Sequence, residues 1–349
     1  MLRLGGGTAL SLALGACGDS EGQSSGATTG IPFPMATDTP TGGTAPAGGT
    51  GDKLDVAADG ATMNAEDGGN EDGCEKVDFL FVIDSSRSME DEQDNLLTSF
   101  PGFITAIEQT LEIDDFNLMV VDAGVVAGAG CDGTLGAGRV TSGSGQNCNL
   151  VGAQRYATAD QPDLPAAFTC MGSRGFQGPG DEQTMDSLTT ALGPLTDVGQ
   201  CNEGFLRDDA ILVVTIISDE EDSPLDNSAA PPLDGTCSPA DSDPNSAGDP
   251  AVWRDQVVAA KSGDQDAVVV LSLIGDCDVG GNCPGIELED PLDPLGPVSG
   301  AEPAPRLREF TQSFGFGSVG PVCADDYAPF FEQAVSVIES ACDDFVPPA

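Results

Sequence analysis

Four apolar runs set the terms for any fold of this chain: "VDFLFVID" (77–84), "FNLMVVDAG" (116–124), "AILVVTIISD" (210–219) and "AVVVLSLIGD" (267–276). Continuous apolar character over so short a length predicts strands covered on both faces. Between and after them lie amphipathic stretches that predict helices. These are "MEDEQDNLLTSFPGFITAIEQTL", interrupted near Pro101, then "EQTMDSLTTALGPL", "AVWRDQVVAAKS", "PRLREFTQSF" and "YAPFFEQAVSVIESAC", with a short strand around "GSVGPVC" before the last. Strands alternating with helices imply an α/β fold, doubly wound, with a mostly parallel central sheet flanked by helices. One domain, residues 74–346, accounts for all of these elements. The Gly-rich, cysteine-bearing stretch that ends near Gly180 carries no regular pattern and reads as loop.

Residues 18–73 differ sharply in composition. They are Gly, Thr, Ser, Ala, Pro and Asp with few large side chains, too few to offset the entropy of ordering, and so predict a disordered tether. Before them, residues 1–17, "MLRLGGGTALSLALGAC", have the outline of a signal peptide: one arginine, a short apolar stretch and small residues before a cysteine. "LGAC" resembles the bacterial lipobox, which would make Cys17 the lipidated first residue of an exported protein anchored to the cell envelope, at the outer membrane or cell surface. The membrane is then a partner only through that N-terminal anchor.

The full chain of 349 residues has 12 Lys plus Arg against 58 Asp plus Glu, a formal charge of −46, and no histidine. Such acidity argues against nucleic acid and anionic membrane surfaces as partners and favours solubility. Without histidine there is no Ser-His-Asp or Cys-His arrangement, no histidine-bearing zinc motif and no imidazole acid/base chemistry.

Of the 11 cysteines, setting Cys17 aside leaves ten: Cys74, Cys131, Cys148, Cys170, Cys201, Cys237, Cys277, Cys283, Cys323 and Cys342. An even count behind an export signal predicts about five disulfides. No CxxC pair is present to suggest a zinc knuckle. Cys277 and Cys283, flanking "DVGGN", are the easiest local pair, and Cys74 with Cys342 would clip the ends of the domain together.

The first strand ends in "DSSRS", residues 84–88, and the strand at 210–218 runs into Asp219. In an open α/β sheet, ligands bind in loops beyond the carboxyl ends of the strands. Asp84, Ser86, Ser88 and Asp219 can converge there as an all-oxygen set suited to a hard cation, Mg2+ or Mn2+ ahead of Ca2+. A competing local role exists: Ser88 followed by Asp91 is a capping-box pattern, and Asp84 could cap the turn leading into the first helix. The acidic run "DEEDS" (219–223) beyond the strand reads as a solvated loop, as does the Pro-rich insertion "DNSAAPPLDGTCSPADSDPNSAGDP". "SGSG" (142–145) lacks the spacing of a hydrolase nucleophile elbow and reads as loop.

"VDFLFVIDSSRSM" resembles the opening strand and DxSxS motif of the von Willebrand factor A domain, and "NEGFLRDDAILVVTIISDEEDS" resembles a bacterial cell-surface lipoprotein branch of that family. The resemblance spans about residues 74–346. It implies a metal-ion-dependent adhesion site in which Ser86 and Ser88 coordinate the ion directly, Asp84 holds it largely through water, and Asp219 stands behind as a further carboxylate. The family's remaining ligand is a threonine in the loop before the third helix. Here that loop reads "GPGDEQTMDSL", which puts Glu182 at the threonine's place and Thr184 two residues on, so either residue could complete the set.

The function expected from these features is binding without catalysis: a lipid-anchored envelope module whose divalent ion grips an exposed acidic residue of a protein ligand. The alternative is a structural or assembly component of an envelope complex with a degenerate metal site. A phosphotransferase of the haloacid dehalogenase type would need a second aspartate where this chain has Ser86.

Overall fold

A computed structural model describes residues 75–107, 113, 115–180, 182–223, 248–275, 283, 287–288 and 298–348. The chain divides into two units, Met1–Ala65 and Glu66–Ala349, and every described residue belongs to the second. The expected leader, Cys17 and the tether lie outside the described residues, as do Cys74, Cys237 and Cys277.

Six strands form the main sheet: β1 (Lys76–Ile83), β2 (Asp115–Asp122), β3 (Ala157–Thr158), β4 (Ile211–Ser218), β5 (Val268–Ile274) and, after a separate two-stranded ribbon of β6 (Glu287–Leu288) and β7 (Val298–Ser299), β8 (Phe316–Pro321). Their order across the sheet is β3-β2-β1-β4-β5-β8, parallel except for the short β3 at one edge. Among the described residues, six α-helices accompany them: α1 (Glu90–Ala106), α2 (Leu164–Gly172), α3 (Thr184–Leu192), α4 (Pro250–Ala260), α5 (Pro305–Gln312) and α6 (Ala328–Asp344).

Alternation along the strands sends successive side chains to opposite faces, and each face is roofed. Phe79, Phe81, Ile83, Val213 and Leu271 pack with Leu96, Phe100 and Phe103 of α1, Phe168 of α2 and Phe331 of α6. Leu80, Val82, Val214 and Val270 pack with Leu188 of α3, Trp253 of α4 and Phe310 of α5. This two-sided burial explains why the strand sequences read as unbroken apolar runs rather than alternating ones.

Two local expectations are revised. Pro101 sits inside α1 without interrupting it. The residue is exposed, so the carbonyl it leaves unbonded can be hydrated at the surface. The stretch before Gly180, expected to be loop, contains β3 and α2, the latter capped by Asp163 Oδ1 accepting from Ala166 N at 3.0 Å.

Three disulfides join described residues: Cys131–Cys201, Cys148–Cys170 and Cys283–Cys323. The expected local pair Cys277–Cys283 is therefore incorrect, because the fold brings Cys283 to the segment just after β8, where Cys323 follows Pro321 and Val322. Cys342 is also disulfide-bonded, and its expected partner, Cys74, lies outside the described residues.

Candidate functional site

The strand order reverses between β1 and β4: the chain leaves β1 toward β2 on one side and later returns to β4 on the other. Loops diverge from such a switch point and leave a crevice beyond the strand ends. Ile83 pairs with Ile217, and Asp84 N donates to Ile217 O at 2.9 Å, so the two strand-end aspartates, Asp84 and Asp219, leave adjacent strands near the same level.

Asp84 is 1% exposed and fully engaged. Its Oδ1 accepts from Ser86 N at 2.7 Å, which folds the motif back on itself, and its Oδ2 accepts from Ser218 Oγ at 3.0 Å. Gln93 Nε2 in α1 donates to Asp84 O at 3.2 Å. The hydroxyls of Ser86 and Ser88 meet at 3.0 Å, and Ser88 Oγ donates to Glu220 Oε1 at 3.4 Å. Neither serine caps a helix: the 3-10 turn at Arg87–Met89 and α1 both begin without a side-chain cap. The capping box at Ser88 is thereby removed, while Asp84 does cap the turn that leads into α1, through its bond from Ser86 N.

The loop before α3 closes the site from the β2 side. Gln183 N donates to Ala123 O at 2.6 Å and Ser223 N to Glu182 O at 2.6 Å. A second loop lies flat on the DSSRS motif at Gly178, whose N donates to Ser85 O at 2.7 Å. A Cβ at Gly178 would stand 2.1 Å from Ser85 Oγ, so only glycine permits this approach.

Four oxygens of the expected ligand set are buried and without a hydrogen-bond partner, Asp219 Oδ1 and Oδ2, Thr184 Oγ1 and Glu182 Oε1, as are Gln183 Oε1 and Asp222 Oδ2 in the same two loops. Buried polar atoms are normally paired, so orphans on the two loops beyond these strand ends mark donors that a cation or solvent could satisfy. The carboxyls respond to their confinement. Burial pushes Asp84 up to about 6, against the hydrogen bonds from Ser86 and Ser218 that favour its charge. Burial, then the charge of Asp84, raises Asp219 to about 8. Glu182 is raised to about 10 by burial, by the Glu220 carboxyl facing it and by the charge of Asp84. A cation is what would let these groups ionise together. Among the described residues, no group of three or more His, Cys, Asp or Glu side chains is arranged to hold a metal. An ion held here would therefore depend on the hydroxyls of Ser86, Ser88 and Thr184 as much as on carboxylates.

The "DEEDS" run departs from its expected solvated state. Glu221 and Asp222 are buried. Glu221 Oε2 accepts from Arg306 N at 2.8 Å, and Asp222 Oδ1 accepts from Met185 N at 2.7 Å in the first turn of α3. The start of α5 and the start of α3 thus supply the partners that water was expected to supply.

The sequence reading also missed Ser218 and Glu220. Ser218 carried a usable signal, being a polar residue that ends an apolar strand directly beside Asp219. Glu220 carried none, since its approach to Ser88 and Glu182 depends on how the loop turns.

No protein-family model matches the sequence, and no curated protein matches it. Among solved structures, proximal thread matrix protein 1 from the mussel byssus aligns at 9% identity with a TM-score of 0.37, over 76% of this chain and 49% of that chain. This chain thus spans about half the length of that protein.

Proposed function

We propose that this chain is a von Willebrand factor A-type binding module. In this reading it takes a divalent cation, Mg2+ or Mn2+, at the β1/β4 switch point and uses it to grip a carboxylate on a protein partner. The observation that carries the reading is the set of orphaned, buried oxygens of Asp219, Thr184 and Glu182 beside the paired hydroxyls of Ser86 and Ser88. These are hard oxygen donors, partly neutral, which is the chemistry Mg2+ and Mn2+ accept.

In this reading Ser86, Ser88 and Thr184 hold the ion through hydroxyls, and Asp84 and Asp219 supply negative charge around it. The bound cation supplies an unsaturated positive centre that a partner carboxylate can complete. Asp84 is oriented for its part by Ser218 and by the Ser86 backbone, and Gln93 fixes the loop at Asp84 O. Anchorage to the cell envelope through Cys17, and the absence of catalytic turnover, belong to the same proposal.

The test is the thermal unfolding midpoint of the oxidised protein in EDTA and then with Mg2+, Mn2+ or Ca2+, beside Asp84→Ala. Binding to the native state must raise the midpoint. A rise with Mg2+ or Mn2+ that Asp84→Ala loses is the expected result. No rise with any ion rejects the site.

A structural envelope component with a degenerate site is the second reading, favoured by Glu182. Its carboxyl is packed against Glu220 and Asp84 where a neutral threonine is expected. Partner capture unchanged by Ser86→Ala with Ser88→Ala would support it over the first.

A further inference from the structure

Beside the DSSRS motif the surface opens into a cleft of about 490 Å3, bordered by Ser85, Ala127, Arg139, Ser142 and Arg174 among others. Its floor is cationic in a chain where acidic residues outnumber basic ones, 58 to 12. Arg139 and Arg174 are 3% and 7% exposed. Both are tied to one aspartate: Arg174 Nε and Nη2 donate to Asp122 at 2.5 and 3.1 Å, and Arg139 Nε forms an ion pair with Asp122 Oδ2 at 2.5 Å. Asp132, the cleft's own carboxylate, is engaged by Arg155 at 2.5 Å. Among the described residues, the three guanidiniums of Arg139, Arg155 and Arg174 share two carboxylates, Asp122 and Asp132.

The shortfall shows in the hydrogen bonds. Arg139 Nη1 donates to Asp132 O at 2.6 Å, but Nη2 reaches no acceptor. A buried guanidinium with an unsatisfied donor costs free energy unless an anion pairs with it. The "SGSG" turn supplies a polar wall: Ser142 Oγ lies 2.9 Å from Ser144 Oγ and accepts from Gln146 N at 3.1 Å. Two exposed apolar side chains, Val125 at 49% and Phe176 at 40%, adjoin the lining residues Val126 and Gln177 and give a partner something to bury at the rim.

We propose that this cleft is a second binding subsite that takes an oxyanion, with Arg139 and Arg174 as its charged floor. Carboxylates, sulfate esters and phosphate esters share that chemistry. Arg–carboxylate and Arg–phosphate pairs are alike in their two parallel N–H···O bonds. A partner gripping both places would present two anionic groups, one at the strand ends and one in the cleft.

The experiment uses the full oxidised chain, nitrogen-15 labelled, in EDTA, so that it is independent of whether the neighbouring site takes a metal. Acetate, sulfate and inorganic phosphate are titrated against chloride at matched ionic strength, while the arginine side-chain N–H resonances are followed. Because Arg139 and Arg174 are buried and their replacement could unfold the loop, the variants are placed at Ala127, which is exposed on the lining. The expected result is a saturable shift of the Arg139 and Arg174 signals with at least one oxyanion. Ala127→Asp should weaken it about tenfold and Ala127→Lys should not. The ion that binds tightest separates a carboxylate source from a sulfate or phosphate ester. The proposal fails if no oxyanion gives a saturable shift, if chloride gives the same one, or if Ala127→Asp leaves the affinity unchanged.

Discussion

Ser218 donates its hydroxyl to Asp84 Oδ2 across the boundary between β4 and β1, at 3.0 Å, in a site closed to solvent. The same oxygen, Ser218 Oγ, also accepts from Glu220 N at 3.3 Å, so one serine sets both the strand-end carboxylate and the turn that follows β4.

Groups that orient a ligand set without touching the ion commonly change metal affinity by about 10- to 100-fold when removed. Ser218→Ala should therefore shift the Mg2+ concentration needed for half-maximal thermal stabilisation upward by at least about tenfold. Its circular dichroism should match the parent's. A parent-like Mg2+ response would show that Asp84 is held by the Ser86 backbone alone.

Acidity should stabilise the ion-free protein. Asp84 at about 6 and Asp219 at about 8 lie above the ordinary carboxylate value of about 4. Between those limits the folded chain binds more protons than the unfolded chain, so stability rises as pH falls from 8 toward 5. Mg2+ competes with those protons, and its stabilising effect should be largest at pH 8 and fade on acidification. Melting in EDTA across that range checks the sign. A midpoint that falls steadily from pH 8 to pH 5 would contradict it.

Thr184 and Glu182 should separate cleanly. Thr184 Oγ1 and Glu182 Oε1 are both buried and unpartnered, but without an ion, burial and the neighbouring carboxyls push Glu182 up to about 10, so a cation must displace a proton to use it and none to use Thr184. Thr184→Val removes an unsatisfied hydroxyl at constant shape, so the ion-free midpoint should hold or rise while the Mg2+ response is lost. Glu182→Gln should keep the response. The reverse pattern, read by the same melting curves, would assign the ligand to Glu182.

The covalent links contribute separately from the site. Cys148–Cys170 closes a loop with a sequence separation of 22. Replacing both cysteines with serine should cost about 3 kcal/mol in denaturant unfolding on the chain-entropy account. The Mg2+ response, once refolded, should persist. A loss of less than about 1 kcal/mol would mean that the unfolded chain is already held together near these residues.

Much of the fold was legible because burial on two faces leaves an unmistakable trace in one dimension. The runs at 77–84, 116–124, 210–219 and 267–276 became β1, β2, β4 and β5 within a residue or two of their expected ends. The edge strand β3 is two residues long and α2 is embedded among glycines and cysteines, so neither had enough periodic sequence to stand out. Asp84, Ser86, Ser88 and Asp219 were readable because a polar residue directly after a buried strand has few places to go.

Sequence by itself determined the α/β alternation, the strand ends that carry the oxygens and the lack of imidazole chemistry, since these depend on residue type and short-range order. Only the tertiary structure decided which oxygens are left unpaired, that Glu221 and Asp222 are buried against Arg306 and α3, that Cys283 meets Cys323, and that Asp122 gathers Arg139 and Arg174 beneath a cleft. Those outcomes depend on which loops the sheet brings together at its switch point, and contacts between residues far apart in the chain leave no local pattern to read.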